Sequence, residues 1–312
     1  MKEIRYGIIG TGAIGGYYGG MLARAGKEVH FLFHSDYNFV KANGLQIDSV
    51  NGDFHLSDIH AWHSTKDMPK CDVVFVCLKT TKNTLLKELL PPLLKENTWV
   101  VLIQNGIGVE KEVQEMFLGV HLAAGIAYVC IGKFGPGHIK HQDLGLLQLA
   151  PYKEGEQTEV LTQVIEDLQS TGIPAKLIDY QGARWRKCVW NIPFNGLTVV
   201  LNTSTKAIVN NPASCDLVRR IIFEVVEAAN HCGGNIPHSV ADDTVEMTKK
   251  MIPYSPSMKL DYDFHRPMEI RYLYTNAIAE ARSNGVEMPL TQMLEQELRF
   301  IEAGYLKATD LP

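Results

Sequence analysis

Residues 4–9 form an apolar strand that runs directly into Gly10-Thr11-Gly12-Ala13-Ile14-Gly15 and then into a helix. That order is what a pyrophosphate-binding turn requires. Gly10 permits the tight turn off the strand, Gly12 lets the backbone approach a phosphate with no side chain in the way, and Gly15 lets the helix pack closely on the strand. The helix N-terminus then offers unpaired N–H groups and the positive end of its dipole to an anion. The small-residue helix over 16–25 stops at Gly26, and a second strand follows at 29–33. The chain therefore reads as a dinucleotide-binding enzyme whose cofactor meets Gly10 to Gly15 through the backbone.

The bulk of the sequence narrows the class. A length of 312 residues suits two domains, each able to bury its own core. With 30 Lys and Arg against 35 Asp and Glu, and no basic run, the chain lacks the footprint of a nucleic-acid-binding protein. No apolar stretch reaches membrane-spanning length, and the chain enters its first strand without a signal-peptide pattern, so a cytoplasmic protein is expected. The six cysteines (71, 77, 130, 188, 215 and 232) show no CxxC spacing and read as reduced, buried thiols. His60 with His63, and His138 with His141, lie in strand- or loop-like segments with no cysteine or carboxylate cluster near them, so no metal is expected.

Strand and helix signals alternate after the first turn, which implies a parallel sheet with helices on both faces. Residues 73–78 and 99–103 are unbroken apolar runs of the kind buried strands show. Ligand contacts are expected just beyond their C-terminal ends, at Lys79-Thr80-Thr81 and at Gln104-Asn105-Gly106. Segments 123–131 and 145–150 flank the Gly-Pro-Gly turn at 135–137 and read as antiparallel additions; a helix over 158–170 and a strand near 175–178 close the first domain. From about residue 179 the texture is helical. Runs at 213–232 and 239–251 are followed by a helix with Pro267 in its first turn, ending at Asn284-Gly285, and by a last helix from Pro289 to near Gly304. The expected fold is α/β, an N-terminal Rossmann domain over 1–178 followed by an all-helical domain over 179–312.

Lys187, Asn191 and Asn195 stand at i, i+4 and i+8, so one helix face carries a cation and two amides. Spacing alone also allows a solvated face, since these residue types are common on surfaces. Pro193 removes a bond to the Val189 carbonyl and should bend this helix, pointing away from the Lys/Asn face. Spacing gives no reason to pair Ser257 with Glu269; a capping hydroxyl and a first-turn carboxylate account for each alone.

Taken together, the glycine turn, Lys79, Gln104-Asn105-Gly106, Lys187/Asn191/Asn195, Ser257-Met258 with Asp261, and Glu269 resemble the ketopantoate reductase (2-dehydropantoate 2-reductase) family, in order and interval over nearly the whole chain. The resemblance implies a Rossmann domain and a helical domain with the active site between them. It also implies reduction of a branched 2-oxo acid by NADPH, a step toward pantothenate. Carried over by residue, Lys79 and Asn105 contact the cofactor, Asn105 also nears the substrate, and Lys187 is the catalytic lysine. Asn191 and Asn195 hold the hydroxyl end of the substrate, Ser257 its carboxylate, and Glu269 orients substrate and lysine. The chemistry agrees: hydride delivered to a ketone leaves an alkoxide, which needs a nearby proton donor and positive charge.

Two departures stand out. Where the family has an arginine for the 2′-phosphate, this chain has His34-Ser35-Asp36; histidine is the weaker phosphate ligand, and Asp36 is placed to bond a ribose 2′-hydroxyl. The resemblance makes NADP the expected cofactor, and these two residues leave NAD open. After Glu269 the family continues with Ile, Asp and later Asn-Gly, against Ile270-Arg271-Tyr272-Leu273-Tyr274-Thr275 here; these residues could reshape the substrate side, although Arg271, two residues past Glu269, is expected to point away from the reacting centre. The alternatives are a reductase of the same family acting on another 2-oxo or 3-oxo acid, and a non-catalytic NAD(P)-binding sensor. As partners the reading gives a small 2-oxo acid, neither nucleic acid nor membrane, and a homodimer as the assembly to test.

Overall fold

The computed structural model describes residues 3–252 and 254–306, which divide into two compact units. The first comprises the chain up to Gln104 together with Glu110–Tyr180; the second comprises Asn105–Val109 together with the chain from Gln181 onward. The loop at Asn105, assigned to the first domain by the sequence, thus packs with the second unit. No helix among the described residues is long and apolar enough to cross a membrane.

The first unit is built on one sheet. Its strands are β1 (Arg5–Ile9), β2 (Glu28–Leu32), β3 (Leu45–Ser49), β4 (Phe54–Leu56), β5 (His60–Trp62), β6 (Val73–Val76), β7 (Trp99–Leu102), β8 (His121–Gly135), β9 (His138–Pro151) and β10 (Ala175–Leu177). Their order is β4-β3-β9-β8-β7-β6-β1-β2-β5, with β10 paired to β9. Within it, β5-β2-β1-β6-β7-β8 are parallel neighbours. That run is the 3-2-1-4-5-6 strand order of dinucleotide-binding sheets, in which ligands sit beyond the carboxyl ends of the strands where the order reverses. Here the reversal lies between β1 and β6.

Strands β8 and β9 form the expected antiparallel pair, although β8 also continues the parallel run beside β7. Strands β3 to β5 have no counterpart in the sequence reading. They are three to five residues long and carry Gln46, Asp48, His55 and His60, so no apolar run marks them. Among the described residues, the α-helices that accompany the sheet are α1 (Ala13–Arg24), α2 (Tyr37–Asn43), α3 (Leu86–Leu89), α4 (Val109–Met116) and α5 (Glu159–Ser170). Helix α1 lies close on the sheet because its inner face is glycine. A Cβ on Gly16, Gly19 or Gly20 would come within 2.6 Å of Ile139, Phe31 or Ile47.

The second unit contains α6 (Ala183–Val200), α7 (Thr205–Asn210), α8 (Pro212–His231), α9 (Val240–Lys250), α10 (Ser257–Asp263), α11 (Asn276–Ser283) and α12 (Pro289–Ala303). A π turn over Arg271–Thr275 leads into α11. Helical winding there begins at Ile270, so Pro267 precedes the helix instead of sitting in its first turn. Met268 explains the delay: its N–H is held by the buried Glu302 carboxylate at 2.6 Å, outside any helical ladder. Helix α6 is buried on nearly every side from Val189 to Val199 except at Trp190, the pattern of a central helix. Two asparagines, Asn191 and Asn195, are buried within it.

Candidate active site

The glycine turn behaves as three separate devices. Gly10 has φ 91°, and a Cβ there would lie 2.7 Å from the Leu78 nitrogen, so the turn off β1 and the chain leaving β6 fit only without a side chain. A Cβ on Gly15 would stand 2.5 Å from the Gly10 carbonyl oxygen, which makes it the packing glycine. Around Gly12 nothing lies within 4 Å of that position. It alone of the three needs no glycine for the fold, and it leaves an open approach to the backbone.

Gly16 closes the first turn of α1 on the Gly12 carbonyl at 2.9 Å. The amides of Ala13, Ile14 and Gly15 ahead of it belong to the first turn, which has no intrahelical acceptors. The Thr11 hydroxyl is turned the other way and donates to the Leu32 carbonyl at 2.8 Å, so Thr11 ties the turn to the end of β2. The open cradle at Gly12 and the helix N-terminus fit a dinucleotide pyrophosphate. Lys79 begins the 3₁₀ turn Thr80–Leu85 after β6, at the reversal of the sheet.

In the second unit four of the expected residues converge. The Asn105 amide donates to Glu269 Oε2 at 3.3 Å, and Asn191 Nδ2 donates to Asn105 Oδ1 at 3.4 Å. Asn195 Nδ2 donates to the Asn191 carbonyl at 3.0 Å, and Asn195 Oδ1 accepts the Met258 N–H at 3.0 Å. Asn195 thereby fixes the first turn of α10, where Ser257 is the first residue. Lys187 sits half-buried on α6 one turn before Asn191. A buried face bearing amides is a different object from the solvated face that spacing also allowed.

Backbone bonds deliver Asn105 to this cluster. The Ile107 N–H donates to the Tyr272 carbonyl at 2.8 Å, and Asn276 Nδ2 donates to the Ile107 carbonyl at 2.9 Å. Gly106, at φ 98°, makes the approach possible, because a Cβ there would fall 2.5 Å from the Tyr272 oxygen. Nothing in the sequence marks Tyr272 or Met258 as partners, since it is their main-chain atoms that take part.

Two family models cover most of the chain: Ketopantoate reductase PanE/ApbA matches residues 6–154, and Ketopantoate reductase PanE/ApbA C terminal matches 179–302. The chain belongs to the ketopantoate reductase family. A 2-dehydropantoate 2-reductase of Nostoc sp. is 43% identical over 97% of this chain and 96% of its own length. The crystal structure of 2-dehydropantoate 2-reductase from Geobacter metallireducens superposes with a TM-score of 0.92 at 34% identity, covering 95% of this chain and 99% of that one. The corresponding structure from Methylococcus capsulatus gives 0.89 at 31% identity, over 99% and 100%.

Both departures from the ketopantoate reductase pattern take a different form in the structure than the sequence suggests. Asp36 does not present its carboxylate at the end of β2. It is buried, paired with Lys133 at 2.6 Å and holding the Gly137 N–H at 2.9 Å. Burial pushes the Asp36 carboxyl up, but Lys133 and the Gly137 N–H outweigh it and hold it below the usual carboxylate range. What stands exposed there is His34, stacked near His63 with ring centroids 6.4 Å apart, and His63 in turn packs on Tyr37 at 5.2 Å.

After Glu269, Tyr274 is fully buried and donates to the Ile192 carbonyl at 2.8 Å, so it is a core residue and not a pocket wall. Thr275 is engaged by Glu295 at 2.5 Å and Arg299 at 2.7 Å. Its hydroxyl serves α12. Arg271 is exposed, with its guanidinium over the Tyr272 ring at 5.1 Å.

Proposed function

We propose that this chain reduces 2-dehydropantoate to pantoate with NADPH, in the route to pantothenate. The observation that carries the reading is the convergence of Asn105, Asn191, Asn195 and Glu269 in one partly buried hydrogen-bonded chain, with Lys187 on the same helix face as the two α6 asparagines. A sensor that only bound a dinucleotide would have no use for a carboxylate and amides gathered at a distance in sequence from its glycine turn.

The dinucleotide, when bound, supplies a hydride to the carbonyl carbon of the oxo acid. Gly10 and Gly15 shape the turn, Gly12 leaves its backbone open, and the α1 amides at Ala13, Ile14 and Gly15 would hold the phosphates, with Lys79 adding positive charge. The Lys187 ammonium gives its proton to the carbonyl oxygen as that oxygen becomes an alkoxide, and Lys187 regains a proton from water. Glu269 orients Lys187 and the substrate. Asn105, tied to Glu269, limits that carboxylate to one position.

The two α6 asparagines take different roles. Asn191 has its amide on the long 3.4 Å bond to Asn105, which a substrate hydroxyl can readily replace. Asn195 is 1% exposed and has both amide atoms engaged by protein, so it acts by holding Ser257 in place for the substrate carboxylate. NADPH is favoured over NADH because Asp36, which follows β2, is buried and engaged by Lys133 and the Gly137 N–H, so its carboxylate is not offered to a ribose 2′-hydroxyl. His34 and His63 remain to meet a 2′-phosphate.

Steady-state oxidation of NADPH and of NADH with 2-dehydropantoate tests the reading. Turnover is expected with a higher kcat/KM for NADPH; a protein that ignores 2-dehydropantoate while reducing another 2-oxo acid would refute the substrate, and a preference for NADH would refute the cofactor.

A further inference from the structure

The bonds that link Asn191 to Asn105 and Asn105 to Glu269 are 3.4 and 3.3 Å long, near the limit for such contacts. They record that the groups meet but are too weak to dictate where α6 stands relative to the helix that follows Glu269. Something else must set that spacing to a few tenths of an ångström, because a substrate gripped from both sides loses rate steeply with misplacement.

Helix α6 is least able to hold its own shape where the spacing matters. Pro193 cannot donate to the Val189 carbonyl. Asn195 and Thr198 bond back to the carbonyls of Asn191 and Phe194 at 3.0 and 2.6 Å, a pattern that bends helices. At this point the Tyr274 hydroxyl enters the helix. It donates to the Ile192 carbonyl at 2.8 Å and lies against Gly196, so one phenol oxygen is seated at a single helical step. The step from 192 to 196 runs beside the step from Asn191 to Asn195, displaced by one residue. Gly196 admits the phenol: a Cβ there would lie 2.7 Å from the Tyr274 oxygen and 2.5 Å from Leu294. Burial pushes the phenol far above its usual range, so it stays a hydroxyl able to donate. The π turn at Arg271–Thr275, which carries Tyr274, begins two residues after Glu269.

We propose that Tyr274 is a positioning residue for the oxo acid, clamping the bent turn of α6 and thereby setting Asn191 and Asn195 against Glu269. It does not touch substrate. The inference rests on the reductase reading, and the two are separable: wild-type turnover tests that reading, whereas only the ratio of variant to wild type tests the clamp.

Tyr274→Phe keeps the ring and removes the hydroxyl. Expected is a rise in KM for 2-dehydropantoate of about tenfold, with kcat falling less and the dissociation constant for NADPH, read by fluorescence titration, within about twofold of wild type. Thr275→Val, which removes the neighbouring hydroxyl bonded to Glu295 and Arg299, serves as the stability control. It should lower Tm comparably and leave KM unchanged. A Tyr274→Phe enzyme with wild-type KM, or a Thr275→Val enzyme with the same KM rise, would overturn the proposal and leave Tyr274 a packing residue.

Discussion

The glycines that shape the first unit's turn lie between Gly10 and Gly15 and act by lacking a side chain, whereas the second unit's cluster draws Asn105, the α6 pair Asn191 and Asn195, Met258 and Glu269 from four separate stretches of chain. The first is a piece of backbone geometry, set once the strand and helix on either side exist. The second exists only after four segments have packed. A local site of this kind tolerates drift elsewhere in the fold; an assembled one depends on each element that supports it, including buried residues such as Tyr274 and Glu302 that bond to main-chain atoms.

If that contrast holds, the assembled site should suffer more from losing one member than the turn does from a small added group. Glu269→Ala is expected to lower kcat/KM for 2-dehydropantoate by about 10²-fold, through both kcat and KM, since it frees Asn105 and Lys187 together. An effect confined to KM would mean that Glu269 only binds.

Within the turn, the three glycines should separate. Gly12→Ala adds a methyl to open space, so Tm should stay at the wild-type value while the dinucleotide dissociation constant rises about tenfold. Gly15→Ala drives a Cβ to 2.5 Å from a backbone oxygen and should lower Tm by several degrees, about what a 1–2 kcal/mol core defect costs. Equal Tm losses in the two variants would erase the distinction between cradle and packing.

Smaller effects are expected at the end of β2. His34→Arg should tighten NADPH by roughly tenfold and leave NADH unmoved, because a guanidinium grips phosphate with two bonds where an imidazole makes one. Asp36→Asn should leave the NADPH to NADH ratio unchanged, since that carboxylate serves Lys133 and Gly137. Its signature lies in stability. The folded state holds the Asp36 carboxyl below the ordinary value of about 3.9, so its contribution is complete above that pH and is lost as pH falls through the lowered value. The acid limb of a Tm profile should therefore flatten in Asp36→Asn, and a shifted cofactor ratio in that variant would show that Asp36 reads the ribose after all.

The same contrast explains what the sequence revealed. The roles of Gly10, Gly12 and Gly15 were legible because residue type and conformation coincide there. Lys187 and Asn191 were legible as a helix face because the period is local. The chain from Asn195 to Met258 was not, because a main-chain N–H carries no residue signature, and neither was the docking of residues 105–109 onto the Tyr272 carbonyl. Asp36 misled for a related reason: its place after β2 suited a ribose, but Lys133, 97 positions on in the sequence, claims it. The short strands β3 to β5 lack an apolar run, and their pairing with β9 and β2 comes from the sheet around them.

Lys187→Ala in single-turnover reduction of 2-dehydropantoate, followed by loss of NADPH absorbance with the cofactor affinity measured separately, bears most directly on the claim that this cluster performs the chemistry. A drop of about 10² to 10⁴-fold in the rate of the reduction step with NADPH affinity preserved is the expected result. A variant that reduces the substrate at close to the wild-type rate would contradict it, and would mean that the proton reaches the alkoxide from a group other than Lys187.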